Sequence, residues 1–389
     1  MLLKDKKVAI IGGGPVGLTT ARLLQQKGVN VNVYEWDLNE ESRISGGTLD
    51  IHKGSGQLAL EKAGLLELYY HYARPTGECN LDMQTNILEE SMPTEENKFD
   101  RPEIDRNDLR KILFNSLDKN TVIWNSQLTD LEKLNDQYRL HFKNGHTALA
   151  DFVIIANGGK SKARKFVIDL EPQYTGTYII QGEVLNPKIN CPAFKKLCGE
   201  KNTMVLAQRK MLFSQVKSNG ALNYYLSFKI DENWVEKENM NFSNNAKVLE
   251  YLDKQFYNWH LTFKELFYAT DNFVGLPMRR MFLDEPWESK SNITLVGDAA
   301  HVMPPFAGIG VNIGLLDALH LSINLTEGNF TDTLSAVKDY ERKMIAYASE
   351  AQEQTQMAEE GIHSDEDFKE NRQAKEEWDK KIVAPKKIE

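Results

Sequence analysis

The sequence has few cysteines, no long apolar run and no excess of positive charge, and each shortage excludes a class of protein. Its 389 residues contain three cysteines, Cys79, Cys191 and Cys198. This odd, widely spaced set predicts neither a disulfide framework nor a zinc site. No apolar stretch approaches the roughly 20 residues of a membrane-spanning helix, and the short, glycine-broken N-terminus is unlike a signal peptide. We therefore expect a soluble cytoplasmic protein that binds no membrane.

Charge and histidine content exclude two further functions. The formal net charge is −9 and the pI is near 5.6, which argues against nonspecific binding to nucleic acid. The histidines show no ligand spacing, so we expect no metal site. Hydrophobic residues make up 41% and charged residues 26% of the chain, as in ordinary globular proteins. The length is sufficient for two domains.

The strongest pattern lies at the N-terminus. An apolar run of strand length, Val8 to Ile11, leads into the spacing Gly-x-Gly-x-x-Gly, formed by Gly12, Gly14 and Gly17. A helical segment follows up to Gly28, and a second β-branched run ends in Glu35. Strand, glycine turn, helix, strand and acid together are typical of a dinucleotide-binding unit.

Each part of this unit has a physical role. Gly12 permits the tight turn, Gly14 lets the backbone approach a pyrophosphate, and Gly17 lets helix and strand pack closely. The helix that begins at Pro15 and Val16 offers free N–H groups and the positive end of its dipole to the phosphates. Glu35 can accept hydrogen bonds from a ribose. The pattern by itself does not distinguish NAD from FAD.

The order of predicted strands, helices and turns along the chain indicates two domains and a C-terminal helix. Strands alternate with helices in one set of segments, which predicts a discontinuous α/β, Rossmann-like domain. In a second set the strands are separated by polar turns, which predicts an inserted antiparallel-sheet domain of α+β type. The predicted ranges are 1–72, 101–172 and 273–330 for the first domain, 73–100 and 173–272 for the second, 331–360 for a bridging helix, and 361–389 for a charged tail.

Four stretches beyond the N-terminal unit carry a resemblance to a known family. They are Arg43-Ile44-Ser45-Gly46-Gly47-Thr48-Leu49-Asp50, Arg106-Asn107-Asp108-Leu109-Arg110, Ala156-Asn157-Gly158-Gly159 and Met303-Pro304-Pro305-Phe306-Ala307-Gly308. Together with the N-terminal unit, with Ser161 and Arg164, and with Gly297-Asp298, they resemble the single-component FAD-dependent aromatic hydroxylases, which have the fold of para-hydroxybenzoate hydroxylase. Within that group the sequence is most similar to the tetracycline destructases. The resemblance extends to about residue 355.

The resemblance implies tightly bound FAD and a transient visit by NADPH, for which Arg43 matches a contact position. It implies a monomeric monooxygenase in which O₂ forms a flavin hydroperoxide that hydroxylates a planar enol or phenol. The chemistry is then flavin-based, with no catalytic side chain and no metal. The implied cofactor-binding residues are Gly12, Gly14, Pro15, Val16, Gly17, Glu35, Arg43, Asp50, Arg106, Asp298, Pro305, Gly308, Ile309, Gly310 and Val311.

On the substrate side the sequence departs from the destructases. The matching pocket positions are Gln181, Asn202, Met204, Phe213, Asn223, Tyr225, Pro305 and Phe306. Asn202, Asn223 and Tyr225 stand where an arginine, a histidine and a glycine are expected, and Ile309 replaces a glutamine. Losing a cation and an imidazole removes charged hydrogen bonds to an acidic enol. Inactivation of tetracycline therefore stays open beside hydroxylation of another phenolic or enolic compound.

Three alternatives to a monooxygenase are considered. The first is a FAD-dependent dehydrogenase or reductase on the same fold. The second is a non-catalytic flavoprotein that binds a planar ligand, and the third is a module that uses NAD structurally. His301 is a candidate proton donor, but a packed structural histidine is the simpler interpretation.

Overall fold

The computed structural model describes residues 1–42, 46–283 and 287–364. Within these ranges the chain forms 17 strands, listed here in order: β1 (Lys7–Ile11), β2 (Asn30–Tyr34), β3 (Leu49–Asp50), β4 (Glu78–Leu81), β5 (Ile87–Ser91), β6 (Glu103–Ile104), β7 (Val122–Ile123), β8 (Leu128–Leu134), β9 (Gln137–Phe142), β10 (Thr147–Ala150), β11 (Phe152–Ile155), β12 (Gln173–Val184), β13 (Asn202–Ala207), β14 (Lys210–Val216), β15 (Leu222–Lys229), β16 (Phe273–Arg280) and β17 (Ile293–Leu295).

The same ranges contain twelve α-helices: α1 (Pro15–Gln25), α2 (Gly56–Lys62), α3 (Leu66–Tyr72), α4 (Arg106–Asn115), α5 (Pro187–Asn190), α6 (Pro192–Cys198), α7 (Trp234–Lys237), α8 (Asn245–Gln255), α9 (Leu261–Tyr268), α10 (Asp298–His301), α11 (Gly310–Thr326) and α12 (Thr333–Ile362). Short 3₁₀ turns cover Arg164–Phe166 and Pro305–Ala307. None of the helices in the described ranges has both the length and the apolar character needed to cross a bilayer.

The first domain is built on a five-stranded parallel sheet. Its strand order is β17-β11-β1-β2-β7, and β1 lies parallel to both β11 and β2. The sequences of β1 and β11 are continuous apolar runs because helices and loops cover both faces of a parallel sheet. Ile10, Ile154 and Ile155 are fully buried, and α1 packs against α11 beside them. This arrangement confirms the predicted Rossmann-like domain.

The second domain is a seven-stranded sheet with helices on one face. Its order is β16-β12-β15-β14-β13-β4-β5, antiparallel except between β13 and β4. Residues 273–280 belong to this sheet by their hydrogen bonds, since β16 pairs with β12. The sequence pattern predicts them in the first domain, because a strand's pairing partner is not visible in its own sequence. On one face of the sheet, Tyr224 and Leu226 of β15 are buried in an apolar core with Leu252 of α8 and with α9.

The C-terminal helix α12 connects the two domains. Its first half packs on α11, where Tyr340 and Met344 are fully buried. Its last turn reaches the other sheet, where Glu359 accepts hydrogen bonds from Thr175 and Thr177. The helix ends at Ile362, two residues beyond its predicted end, and the rest of the predicted charged tail from residue 365 lies outside the described residues.

Candidate functional site

The glycine turn has the geometry that its spacing predicts. Gly12 has a φ of +111°, and a Cβ there would lie 2.6 Å from the carbonyl oxygen of Ala156. A Cβ on Gly17 would overlap the carbonyl oxygen of Gly12. A Cβ on Gly14 would meet nothing within 4 Å. Gly12 and Gly17 are therefore required by the fold itself, whereas Gly14 leaves the turn open on its outer side.

The N-terminus of α1 is suited to hold a phosphate group. Its N-cap residue, Gly14, supplies no side-chain acceptor, and no acid lies in the first turn. The free N–H groups and the helix dipole are therefore available to a ligand. Pro15 occupies the first helical position, where it costs no hydrogen bond. Val16 packs against Gly297 and Gly314, which brings the turn to the end of β17. This open cradle fits the pyrophosphate of a dinucleotide.

Glu35 closes the turn from the end of β2. One carboxylate oxygen accepts a hydrogen bond from the N–H of Gly13, and the other accepts from the N–H of Asp37 at 3.0 Å. A carboxylate has about four lone-pair sites, so these two bonds leave capacity for a ribose hydroxyl. Arg110 contacts the same segment through Asp37 at 2.7 Å and the carbonyl of Ser42. Arg110 belongs to the stretch Arg106-Asn107-Asp108-Leu109-Arg110, but its sequence neighbours do not predict these contacts.

Arg106 holds the loop that precedes β3. It begins α4, where a cation opposes the helix dipole, so its position needs another partner. Its Nε donates to the carbonyl of Gly47 at 3.0 Å, and a Cβ on Gly46 would lie 3.0 Å from this Nε. The guanidinium therefore lies directly against the glycine pair. Arg43, the expected NADPH contact, lies outside the described residues.

Asp50 lies where the loop, β3 and α11 meet. Its carboxylate is 2.9 Å from Nε2 of His52, and a Cβ on Gly308 would lie within 4 Å of both of its oxygens. Asn312 donates to the carbonyl of Asp50 and accepts from the N–H of His52. The structure thus brings together Asp50 and Gly308, which are far apart in the sequence. Asn312 carries no motif signal, and the sequence analysis missed it.

Asp298 opens the short helix α10 at the end of β17. Its side chain is exposed to solvent, and the surrounding protein atoms replace part of the water around it. This partial desolvation raises the pKa of Asp298, while the positive charges of His301, Arg106 and Arg164 act in the opposite direction. Arg164 is anchored by the carbonyls of Ala299 and Gly159. A solvent-accessible acid among fixed cations is suited to accept hydrogen bonds from ligand hydroxyls.

His301 has a structural partner. It is fully buried, and its Nε2 lies 2.6 Å from the carboxylate of Asp317. The same carboxylate accepts hydrogen bonds from the N–H of Gly297 and the hydroxyl of Tyr347. Burial opposes protonation of His301, but the charge and hydrogen bond of Asp317 outweigh it and raise the pKa of the imidazole. These contacts favour a packing role over that of a proton donor.

The segment before α11 turns its backbone toward the cleft. Residues Pro305–Ala307 form a 3₁₀ turn, and Gly308 follows in the left-handed conformation with a φ of +69°. Ile309 is buried, in a small apolar cluster with Ala351 of α12. Gly310 and Val311 then begin α11, whose first turn contains no acid. Because Gly308 lies beside the carboxylate of Asp50, the start of α11 is close to that carboxylate.

The strand register places the predicted substrate residues on one face of the seven-stranded sheet. Gln181 lies opposite Tyr225, Tyr225 opposite Phe213, and Phe213 opposite Met204. Residues directly opposite each other share a face, as do residues two apart in a strand. Asn202 and Asn223 therefore belong to the same face. This substrate face is the one turned toward the first domain, because Tyr225 bonds to Gly47.

A polar row on this face is bound to the first domain. Asn202 donates to Glu103 at 2.6 Å. Gln215 donates to the hydroxyl of Thr48 at 2.8 Å, and Thr48 donates to Glu103. Burial and the nearby charge of Asp50 raise the pKa of Glu103 to about 7. Nothing in the sequence around Glu103 predicts these contacts, because its partners come from two distant strands and a loop.

The amide of Asn223 has a different partner. It is fully buried and accepts a hydrogen bond from Gln181 at 3.2 Å. At the other end of the face, Ser227 lies 2.8 Å from Nε2 of His363, just beyond α12. His363 packs edge-on against Phe306, with ring centroids 5.3 Å apart. These two contacts connect the substrate face, the turn at Pro305 and the end of α12.

Comparison with known proteins agrees with this architecture. The family model described as "FAD binding domain" matches residues 5–354. Curated relatives include the monooxygenase asqM of Emericella nidulans, 26% identical over 90% of this chain and 94% of its own. Another is the 6-hydroxynicotinate 3-monooxygenase of Bordetella bronchiseptica, 25% identical over 89% of each chain.

Solved structures share the fold over nearly the whole chain. HpxO of Klebsiella pneumoniae, complexed with FAD and uric acid, superimposes with a TM-score of 0.79 at 19% identity and covers 98% of this chain and 95% of its own. Tetracycline destructase Tet(55) superimposes with a TM-score of 0.78 at 21% identity and covers 98% and 97%. At this level of identity the likeness concerns the fold.

Proposed function

The chain belongs to the FAD-binding-domain family of hydroxylase-type flavin monooxygenases, and we propose that it uses NADPH and O₂ to hydroxylate a planar enolic or phenolic compound. One observation carries the proposal. The loop 46–50 contacts the cofactor residue Arg106 on one side and the substrate-face residue Tyr225 on the other. These two contacts support a cleft that has the predicted cofactor residues on one side and the predicted substrate residues on the other.

The side chains and amides of this cleft support such a role. When bound, FAD supplies the electron transfer and the activation of O₂. Asp50, Arg106 and Asp298 are placed to hold the cofactor's polar groups. The N–H groups that begin α11, at Gly310 and Val311, favour negative charge near the helix end. The apolar side chains of Phe306 and Ile309 exclude water from the reacting groups.

Tetracycline is one specific candidate for the substrate. Two structural neighbours are the tetracycline destructases Tet(51) and Tet(55), and Gln181 and Phe213 match their pocket positions. Smaller heterocycles are a second candidate, because the relatives include 6-hydroxynicotinate 3-monooxygenase and a neighbour binds uric acid. Asn202 and Asn223 are buried and bonded to other protein groups, so they offer no charged partner to the acidic enol of tetracycline, and this favours the smaller heterocycles.

The proposal is tested with the purified, FAD-loaded protein. NADPH oxidation and O₂ uptake are measured with and without tetracycline, a hydroxypyridine and a naphthol, and each product is analysed by mass spectrometry. We expect at least one compound to stimulate both rates and to gain the mass of one oxygen atom. Stimulated reduction of the flavin without O₂ uptake would instead indicate a dehydrogenase. Ligand binding without any stimulation would indicate a non-catalytic flavoprotein.

A further inference from the structure

A small cavity lies between the two domains. The start of α4, from the first domain, and the turn between β14 and β15, from the second, enclose a volume of about 130 Å³. This interdomain cavity is several times larger than one water molecule. It is also smaller than the roughly 300 Å³ of a pocket that encloses a whole small-molecule ligand. It therefore suits one compact group, such as a phosphate or a carboxylate.

The walls of the interdomain cavity are held together by Asp105. Its carboxylate accepts hydrogen bonds from the backbone N–H of Ser218 at 3.1 Å and from the Ser218 hydroxyl at 2.6 Å. It also accepts a hydrogen bond from Arg74 at 3.0 Å. These bonds use both carboxylate oxygens and fix the turn between β14 and β15 against α4. The negative charge of Asp105 is balanced by Arg74.

Lys217 supplies a buried cation to the interdomain cavity. Its side chain is 8% exposed, and its ammonium group donates to Glu183 at 2.8 Å. An ammonium group has three donors, and no other acceptor for it occurs in the part of the chain that the structure describes. A buried charged group is costly unless it is hydrogen-bonded. An oxygen atom of a ligand in the cavity would supply the missing acceptor.

Arg106 supplies a second cation. Its Nε donates to the carbonyl of Gly47 at 3.0 Å. Its two terminal amino groups have no hydrogen-bond partner among the described residues, so both are available to a ligand. A guanidinium group binds phosphate and carboxylate oxygens through two parallel hydrogen bonds. Glu183 balances Lys217 and Arg74 balances Asp105, which leaves the charge of Arg106 uncompensated among the charged groups that line the cavity and their bonded partners.

The position of the interdomain cavity indicates which anion it receives. The carbonyl of Gly47 bonds to Arg106, and the N–H of Gly47 bonds to Tyr225. The loop 46–50 therefore lies between the cavity and the substrate face, so a substrate on that face does not supply the anion. The pyrophosphate of FAD fits the glycine turn at Gly14. A nicotinamide dinucleotide also carries phosphate groups that are remote from its reacting ring.

We infer that the interdomain cavity binds a phosphate group of NADPH through Lys217 and Arg106. The amide of Asn219 lies at the rim of the same cavity. The inference rests on the proposed function in taking NADPH as the reductant. It adds a binding site for that reductant, with one wall from each domain.

The test places a negative charge at the rim of the cavity. Asn219 is exposed, and its side-chain oxygen accepts a hydrogen bond from the N–H of Ala221 at 3.0 Å. A carboxylate accepts the same bond, so Asn219→Asp should keep the turn intact. Asn241→Asp is the matched control, because Asn241 is also exposed and accepts a hydrogen bond from Ser243 two residues later at 3.0 Å. Asn241 does not line the cavity.

Affinity is measured by calorimetric titration of NADP⁺ and NAD⁺ into the FAD-loaded proteins, which involves no turnover. We expect Asn219→Asp to bind NADP⁺ at least about fivefold more weakly than the wild type and Asn241→Asp do. The difference should shrink at about 1 M salt because of screening. The content of FAD should be equal in the three proteins. Weaker binding of NADP⁺ alone would identify the 2′-phosphate, and equal weakening of both would identify the pyrophosphate.

Three results would overturn the inference. They are equal affinity for NADP⁺ in Asn219→Asp and the wild type, loss of FAD from Asn219→Asp with unchanged affinity for NADP⁺, and no binding of NADP⁺ to the wild type. The second result would assign the cavity to FAD.

A second variant tests the cation directly. Lys217→Gln combined with Glu183→Gln removes both charges together, so neither is left buried without its partner. We expect it to bind NADP⁺ at least about fivefold more weakly than the wild type, and unchanged affinity would contradict the inference. Oxygen uptake and product mass test the proposed function separately. Charge-sensitive binding of NADP⁺ without hydroxylation would count against the monooxygenase alone.

Discussion

Asn202 Nδ2 lies 2.6 Å from Glu103 Oε1. This hydrogen bond joins β13 of the seven-stranded sheet to β6 of the first domain. Glu103 also accepts hydrogen bonds from Thr48 and Gln215. A buried carboxylate is costly unless its oxygens are satisfied. The position where the destructase resemblance expects an arginine is therefore occupied by a neutral amide that serves a domain contact.

Glu103→Gln should change how stability depends on pH. Burial and the charge of Asp50 raise the pKa of Glu103 in the folded state from 4.5 to about 7. The stabilisation that Glu103 gives the folded state is therefore fully present below pH 4.5 and is lost as the pH rises to about 7. The loss is about 3 kcal/mol. The free energy of unfolding of Glu103→Gln, relative to wild type, should therefore rise by that amount across this range in urea titrations.

The matched control for this prediction is Glu95→Gln, because the side chain of Glu95 is 90% exposed. It should leave the pH dependence of unfolding unchanged. If Glu103→Gln and the wild type show parallel pH profiles, Glu103 titrates at its ordinary pKa, and the account of its burial is incorrect.

Gly14→Ala and Gly17→Ala should separate cofactor binding from folding. Gly14 has a φ of −75° and open space around its Cβ position, so alanine there should leave the unfolding free energy within about 0.5 kcal/mol of wild type. It should nevertheless weaken FAD binding about tenfold or more, because the added methyl group blocks the approach of the pyrophosphate.

Gly17→Ala should weaken FAD binding and also destabilise the fold. Its added methyl group would overlap the carbonyl oxygen of Gly12 and force α1 away from β1. FAD affinity is measured by fluorescence titration and stability by urea unfolding. Normal FAD affinity in Gly14→Ala would show that the pyrophosphate does not approach this turn.

Asp298→Ala should yield a folded protein that loses FAD on purification. The side chain lies in the cleft and no hydrogen bond of the described structure depends on its carboxylate, while its backbone carbonyl accepts from Arg164. The ratio of flavin to protein absorbance reports occupancy, and circular dichroism reports folding. Asp298→Asn keeps a hydrogen-bond acceptor and should retain more FAD. Full occupancy in Asp298→Ala would place the cofactor elsewhere.

Asp317→Ala should destabilise the protein strongly. The carboxylate is fully buried against His301 and also accepts from Gly297 and Tyr347. Removing one partner of a buried charged pair costs about 3–5 kcal/mol, and urea unfolding should show a loss of this size. Tyr347→Phe removes one hydrogen bond and should cost about 1 kcal/mol. An equal loss of unfolding free energy in Asp317→Ala and Tyr347→Phe would mean that the His301–Asp317 pair contributes little to stability.

The geometry of the glycine turn before α1 is predictable from the sequence, whereas the contacts of the substrate face are not. The contacts of Gly12, Gly17 and Glu35 are made within or next to one strand–helix–strand unit. Such a unit is local, so its glycines and terminal acid can be identified from spacing. Arg106 was also identifiable, because a cation at a helix start is unfavourable unless something else binds it.

Residues outside such units gave no comparable signal. Glu103 receives its hydrogen bonds from Thr48, Asn202 and Gln215, which lie on a loop and two strands of another domain. Asn312 and His363 act through contacts with equally distant segments. The hydrogen-bond partners of these side chains come close only in the folded chain. The residues next to each side chain in the sequence therefore do not reveal its partners.

The sequence by itself determined the dinucleotide unit, the alternation of two domain types and the family, because local periodicity and glycine spacing are properties of contiguous residues. Only the tertiary structure decided that β16 joins the second sheet, that Asn202 contacts Glu103, and that Tyr225 reaches Gly47. These three facts depend on strand register and domain packing. Register is set by burial summed over the whole sheet, so no single stretch of the sequence contains it.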